Sequence, residues 1–393
     1  MGTMWPRLLF LFTVVSIVEA MLYGSLSAFS PLHLPDIGVP RSDVQAWIGG
    51  ITSFASLVSI PLAPLWGTLA DRYSRKLIIV RSFVVHVVAA TVMLLAPSIW
   101  VFAIGRALLG FASGDTALML ATIADRTPTP RRGFAFAVVN GSLSVGSLLG
   151  TLLGGPIFDR FGFTVLLACM VVLLMAVILG LTLGYHEVPR ARTTRPILTM
   201  AVESVRIITG SRALRTIFFA QFLVGTSWML VSTFSALVIT SYYGGPDPGT
   251  TVGIVLAIGG VGTILFGPLI GSIADRVGYW RMLLTVSSSL LLAWLALSIV
   301  RGLGAYIPIW AVATASMAAV SSLSFNVISN LVDDESRGRI MAFVYLPLNF
   351  GSVVGPILGG VIATRNFFAI FPAAALCVML SLYFFWRARS AAT

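Results

Sequence analysis

Two acids and an arginine lie where a chain this apolar would be expected to hold none. Glu19 sits within "TVVSIVEAMLYGS" (residues 13–25), and Arg106 and Asp115 sit within "GRALLGFASGDTALML" (residues 105–120). A lone ionised carboxylate in apolar surroundings is costly, so such a group either exchanges a proton or pairs with a cation. Glu19 lies 11 residues from the start of its apolar run, a depth of roughly 16 Å along a helix. Arg106 lies at a similar depth in another run, so the spacing predicts a Glu19–Arg106 pair. Pairing and desolvation pull an acid's proton affinity in opposite directions. Water or another molecule entering beside the pair would change that balance, as a proton-coupling site requires. The plainer alternative is a buried pair that only holds two helices together. Asp115 lies nine residues beyond Arg106, which on an unbroken helix turns it about 180° away. It is expected to pair structurally with Arg81, with proton carriage as its second reading. His86 reads as a hydrogen-bonded polar side chain.

Four charged side chains lie together in "GTLADRYSRK", residues 67–76, which holds the chain's single lysine, Lys76. A weaker copy, "GSIADRVGYWR", occupies residues 271–281. Around these islands the sequence is 58% hydrophobic and only 10% charged over 393 residues, with a mean hydropathy of +0.97. Apolar runs of about 20 residues, the length that crosses a bilayer as a helix, recur from end to end. They predict twelve spans, near residues 8–34, 44–69, 77–96, 99–123, 134–157, 162–185, 214–243, 251–274, 282–300, 306–331, 340–363 and 367–386. A soluble core does not need so many full-length apolar helices. A cleaved signal peptide is the other reading of the first run, but that run continues to Leu34, past a signal's short apolar segment.

Of the 25 basic residues, 20 fall in one alternate set of loops and termini, four (Arg41, Arg160, Arg301 and Arg365) in the other, and Arg106 lies within a span. Basic residues favour the cytoplasmic side, so both termini are expected there. The net charge of +11 is thus an orientation signal and does not form the basic face that nucleic-acid binding requires. The longest polar segment, residues 186–213, divides the chain almost in half. It reads either as a solvated linker or as a surface helix after Pro196.

The halves repeat in register. Gly67 and Asp71 recur as Gly271 and Asp275, 204 residues on; Arg132, Gly133 and Gly150 recur as Arg337, Gly338 and Gly355, 205 residues on. The expected domains are therefore residues 1–185 and 214–393 joined by the linker. Parallel six-helix repeats of this kind bind substrate between the halves.

On these residues the chain resembles the major facilitator superfamily, and most of all its twelve-helix drug:proton antiporters. "GTLADRYSRK" is similar to the family's loop signature between helices two and three, with Ser74 where glycine is usual. "GRALLGFASG" (105–114) resembles its fourth-helix motif. "GSVVGPILGG" (351–360) resembles a glycine-proline motif that antiporters carry in helix five, where this chain has Thr151 in place of the proline. The resemblance implies an all-α membrane protein of two pseudo-symmetric six-helix bundles, working by alternating access. It implies that Asp71 interacts with the start of helix eleven near Arg339, and that Gly67, Arg72, Arg75, Lys76 and Asp125, with Gly271, Asp275 and Arg276 in the copy, form an inner latch. Arg75 is expected to pair with Asp125.

The second half holds no acid or base well inside a span. Gln221, Trp228, Asn326, Tyr345 and Asn349, with Tyr23 and Asn140 from the first half, are the expected cavity lining. One acidic side and one neutral, aromatic side suit a small hydrophobic or amphipathic molecule. Export of such compounds coupled to protons is the leading reading. Proton-coupled transport of one metabolite, or flipping of a glycolipid or lysolipid, is the alternative. The chain has no Walker loop. Its three histidines and two cysteines are scattered, giving neither a nucleophile–base pair nor a metal cluster, so the sequence predicts no enzyme and no cofactor. Substrate, protons and bilayer are the expected partners of a monomer.

Overall fold

Glycine spacing decides which helices touch. In the computed structural model α1 (Trp5–His33) lies along α6 (Arg132–Gly184). A Cβ on Gly146 would come within 2.3 Å of the Ile17 carbonyl oxygen, and one on Gly150 within 2.3 Å of that of Met21. Backbones this close need hydrogen at these positions, the small-residue packing of membrane helices. The Ser25 hydroxyl then reaches across to the Gly150 carbonyl, 3.0 Å away. The same device recurs 205 residues on, where Gly351, Gly355 and Gly359 of α12 (Leu346–Arg365) abut Gly225, Thr226 and Leu230 of α7 (Arg212–Ser232).

The structure describes residues 5–187, 206–333, 340 and 343–392, without the side chains of 63, 64, 67, 68, 71, 72, 267, 268, 391 and 392. The remaining helices are α2 (Val44–Arg72), α3 (Arg75–Leu94), α4 (Ile99–Phe111), α5 (Asp115–Arg126), α8 (Ser235–Tyr242), α9 (Pro248–Val277), α10 (Tyr279–Ile299), α11 (Leu303–Leu331) and α13 (Ile370–Ala392). No strand occurs among the described residues. Among the described residues, eleven segments are apolar and long enough to cross a membrane. One of them, Thr129–Gly184, has 56 residues, far more than one crossing needs. It turns at Gly162, where φ is +79°, and so supplies two crossings and brings the total to twelve.

The chain packs as two compact units. One comprises Met1–Val44, Phe54–Thr194 and Gly244–Ala257; the other comprises Gln45–Ser53, Arg195–Tyr243 and Ile258–Thr393. The first ten residues of α9, 248–257, accordingly belong to the first unit. There Asp159 of α6 accepts from the N–H groups of Gly249 (2.8 Å) and Thr250 (2.6 Å), satisfying two of the donors that every helix start leaves free. Of the expected linker, residues 188–205 lie outside the described residues, and 206–210 are helical.

Two expected spans are interrupted. The seventh divides into α7 and α8 around Thr233 and Phe234. The fourth, read as one helix over 99–123, divides into α4 and α5 at Gly114, whose φ of +102° only glycine adopts without strain.

Gly150→Val should cost about 1–3 kcal/mol by overpacking the α1–α6 seam. Gly141→Ala, on the same helix with nothing within 4 Å of its added Cβ, should leave stability unchanged or slightly higher. Thermal unfolding of the two purified variants in detergent compares them directly.

Candidate functional site within the membrane

The break in the fourth span determines what faces Glu19. Asp115 is the first residue of α5 and only 2% exposed; Glu19 is 7% exposed. The N–H groups of Asp115 and Thr116 point at the Asp115 carboxyl, and the Glu19 and Asp115 side chains lie within hydrogen-bonding reach of each other. Ionised carboxylates only accept, so a bond between these two requires a proton on one of them. One oxygen of each, Glu19 Oε2 and Asp115 Oδ2, is buried with no donor beside it.

The expected pairings are therefore corrected. No ion pair joins Glu19 to Arg106, or Asp115 to Arg81, among the described residues. The 180° argument assumed an unbroken helix, and Gly114 removes that assumption. Arg106 is buried on α4 with its Nε unpartnered. Tyr23, one turn beyond Glu19, has Arg106, Glu19 and Asp115 as its charged surroundings. Its hydroxyl lies 3.2 Å from His86 Nε2, and the two rings meet edge to face at 5.7 Å. His86 is thus the hydrogen-bonded polar side chain expected of it.

Arg81 does something the sequence did not suggest. It donates to the carbonyls of Phe111 and Ser113 (the latter 3.2 Å) and to Ser82 Oγ at 2.7 Å, with its guanidinium 3.6 Å from the centre of the Trp66 ring. Its acceptors are the carbonyls left free where α4 stops.

At the signature loop, Arg75 and Asp125 form an ion pair at 2.7 Å. Lys76 Nζ donates to the Thr182 carbonyl at 2.7 Å, and Arg126 to that of His186 at 2.8 Å. Ser74 is the N-cap of α3, with φ −164°, its hydroxyl accepting from Leu77 N–H. That is extended backbone, so the position needs no glycine, and serine supplies a cap that glycine lacks. The same hydroxyl donates to Glu187, whose carboxylate also accepts from the N–H groups of Arg75 (2.7 Å) and Lys76 (3.2 Å). Glu187 was missed; its signal is an acid two residues past the end of the sixth span, beside the helix start it neutralises. The side chains of Gly67, Asp71 and Arg72, and the whole of Arg337–Arg339, lie outside the described residues. In the second copy Asp275 accepts from Tyr279 Oη at 2.5 Å, Arg276 is exposed and Gly271 has open space beside it.

Of the expected cavity residues, Gln221 is fully buried with both ends of its amide unpartnered. Trp228 is half-buried and stacks on Trp310 at 5.6 Å; Trp294 adjoins both and donates to Ser227 Oγ at 2.9 Å. Asn140 and Asn326 are exposed, and each donates back to its own helix, to the Phe136 and Ser322 carbonyls. Tyr345 is 57% exposed, edge-on to Phe325 at 4.7 Å, and Asn349 is exposed. Tyr23 is 40% exposed.

Twelve apolar crossings, with acids and an arginine held inside them, define a multi-pass membrane transporter. The chain belongs to the Major Facilitator Superfamily, whose family model matches residues 9–327 and 217–393. It is 28% identical to the "Multidrug resistance protein MdtG" of Citrobacter koseri, across 98% of this chain and 95% of that protein. It is 26% identical to the protein of the same name from Escherichia coli, across 98% and 94%. Its fold is similar to that of the nucleoside transporter NupG (TM-score 0.79, 13% identity, 98% of both chains). It is also similar to a D-xylose-proton symporter (TM-score 0.78, 15% identity, 98% of both).

Ser74→Ala removes a cap and the bond to Glu187 together, and should cost about 1 kcal/mol. Glu187→Ala should then cost less in the Ser74→Ala background than alone, because the two share one set of bonds. Melting temperatures of the two single variants and the double variant measure the coupling.

Proposed function

We propose that this transporter exports small hydrophobic or amphipathic compounds across a prokaryotic inner membrane in exchange for protons, with Glu19 and Asp115 as the proton site. The observation that carries the reading is the facing of the two carboxyls within the apolar interior of the first unit. Relatives named multidrug resistance proteins support the export of such compounds. The arginine bias supports cytoplasmic termini, and the repeat supports domains at 1–185 and 214–393.

The chemistry follows from like charges at close range. With one proton between them, the carboxyls are joined by an O–H···O bond and carry one negative charge. With none, two negative charges face each other and repel; with two, the pair is neutral. Protonation is thereby tied to the spacing of α1 and α5. Tyr23, linked to His86, sits where an arriving molecule would disturb the pair. The aromatic surface of Trp228 offers the neutral side that a hydrophobic compound needs. Arg75, Asp125 and Glu187 brace the loop between the second and third spans, the proposed inner latch to which Asp71 would belong.

Glu19→Gln and Asp115→Asn each keep shape and hydrogen bonding but remove titration. In proteoliposomes with an imposed pH gradient, each should lose uphill transport of a lipophilic dye while still exchanging dye for dye. Undiminished uphill transport in both variants would overturn the proton site.

A further inference from the structure

The break at Gly114 has no counterpart 205 residues on. There α11 runs unbroken from Leu303 to Leu331. Val286 stands where Arg81 would be, Ala319 for Gly114 and Val320 for Asp115, all three buried in the apolar core of the second unit. A helix that continues bonds its own carbonyls and needs no cation beside it. A helix that stops inside a membrane leaves carbonyls and N–H groups that water cannot reach, each costly unless the protein supplies a partner.

The partners in the first unit are specific. At the end of α4 the Leu109 carbonyl accepts from Ala112 N–H at 3.1 Å and the Gly110 carbonyl from Ser113 Oγ at 3.0 Å. The Phe111 and Ser113 carbonyls accept from Arg81. At the start of α5 the Asp115 carboxyl lies beside the first N–H groups, those of Asp115 and Thr116. Trp66 of α2 covers the junction: its ring lies under the guanidinium, and a Cβ on Gly114 would meet its Cβ at 3.1 Å. A planar, permanently charged fork suits this place because it donates in two directions at once while stacking on an indole.

We infer that Arg81 is a positioning residue for coupling: by holding the Phe111 and Ser113 carbonyls under Trp66 it keeps the fourth span broken at Gly114, and so fixes Asp115 at the head of α5, facing Glu19. The inference rests on the proposed role of Asp115. Arg81 makes no ion pair with the acid; it holds the backbone that precedes Asp115, and its charge also reaches the acid from α3. The charged and titratable groups facing Asp115 are Glu19 and Tyr23 of α1 and Arg81 of α3, with Arg106 of α4 reaching the group through Tyr23. An unbroken helix would turn Asp115 away from Glu19.

The test compares Arg81→Met, which keeps the stem and removes the donors, Gly114→Ala, which disfavours the break from the other side, Asp115→Asn, and Arg81→Met with Asp115→Asn. The readout is the ratio of pH-gradient-driven to counterflow transport of a lipophilic dye in proteoliposomes, across pH. Arg81→Met and Gly114→Ala should each lower that ratio about tenfold or move its pH midpoint by about one unit, the size of one lost charge-assisted hydrogen bond. In the Asp115→Asn background Arg81→Met should add nothing further. Should Arg81→Met fail to fold, Arg81→Lys, which keeps donors but not the fork, should show a smaller displacement of the same midpoint. A wild-type pH profile in the folded Arg81 variant, or an effect that adds fully to Asp115→Asn, would overturn the positioning role. A normal ratio in Asp115→Asn alone would instead overturn the proposed role of Asp115.

Discussion

Inside a bilayer there is no water to accept a hydrogen bond, so every backbone N–H and C=O must find its partner within the protein. For most of this chain the constraint is met by helices that bond themselves. Where it cannot be met that way, at Gly114, the solution brings an arginine, a tryptophan and an acid to one place. Asp115, the first residue of α5, is the acid that meets Glu19. A break in the backbone and the proposed proton site thus meet at one carboxyl, and the first unit buries acids within its spans where the matching positions of the second are apolar.

Close packing has the same origin. With hydrocarbon outside as apolar as the helix faces, burial offers little net drive between helices, and contact and shape must supply it. The glycines of α6 and α12 let α1 and α7 approach until carbonyl oxygens sit where side chains would be.

The architecture was legible because its signals are long or repeated. Span lengths, the charge islands and the 205-residue register each sum over many residues, so a departure at one position does not erase them. The pairings inside the spans were not legible in the same way. Helical periodicity turned Asp115 away from Arg106, the expected partner of Glu19, and depth matched it to Arg81; the periodicity was right for an unbroken helix. One glycine at φ +102° undid it. A glycine directly before an intramembrane acid, as in "ASGDT", is the local signal of such a break; it was passed over in favour of the apolar run that spans it. Glu187 was missed for the opposite reason: it lies in a polar segment where one more acid looks unremarkable, and only the fold brings it to the start of α3.

The register also shows how one fold carries two unlike interiors. Tyr23 and Trp228 stand 205 residues apart, as do Ala89 and Trp294, and Gly105 and Trp310. In the first unit a Cβ on Gly105 would fall 3.0 Å from the Ala89 carbonyl oxygen, so α3 and α4 meet almost backbone to backbone. Tyr23 is left to His86 and to the charges of Glu19, Asp115 and Arg106. In the second unit the matching positions are filled by indoles, with Trp228 stacked on Trp310 and Trp294 beside both. Replacing glycine and alanine by tryptophan fills the volume between helices, and in these spans the titratable groups give way to Val224, Leu291, Ala311 and Val320. A group that changes charge works best where its neighbours are few, polar and close to backbone dipoles; a surface for hydrophobic compounds works best where no charge must be desolvated. On the proposed reading, placing each in its own repeat lets either be altered without unbalancing the other.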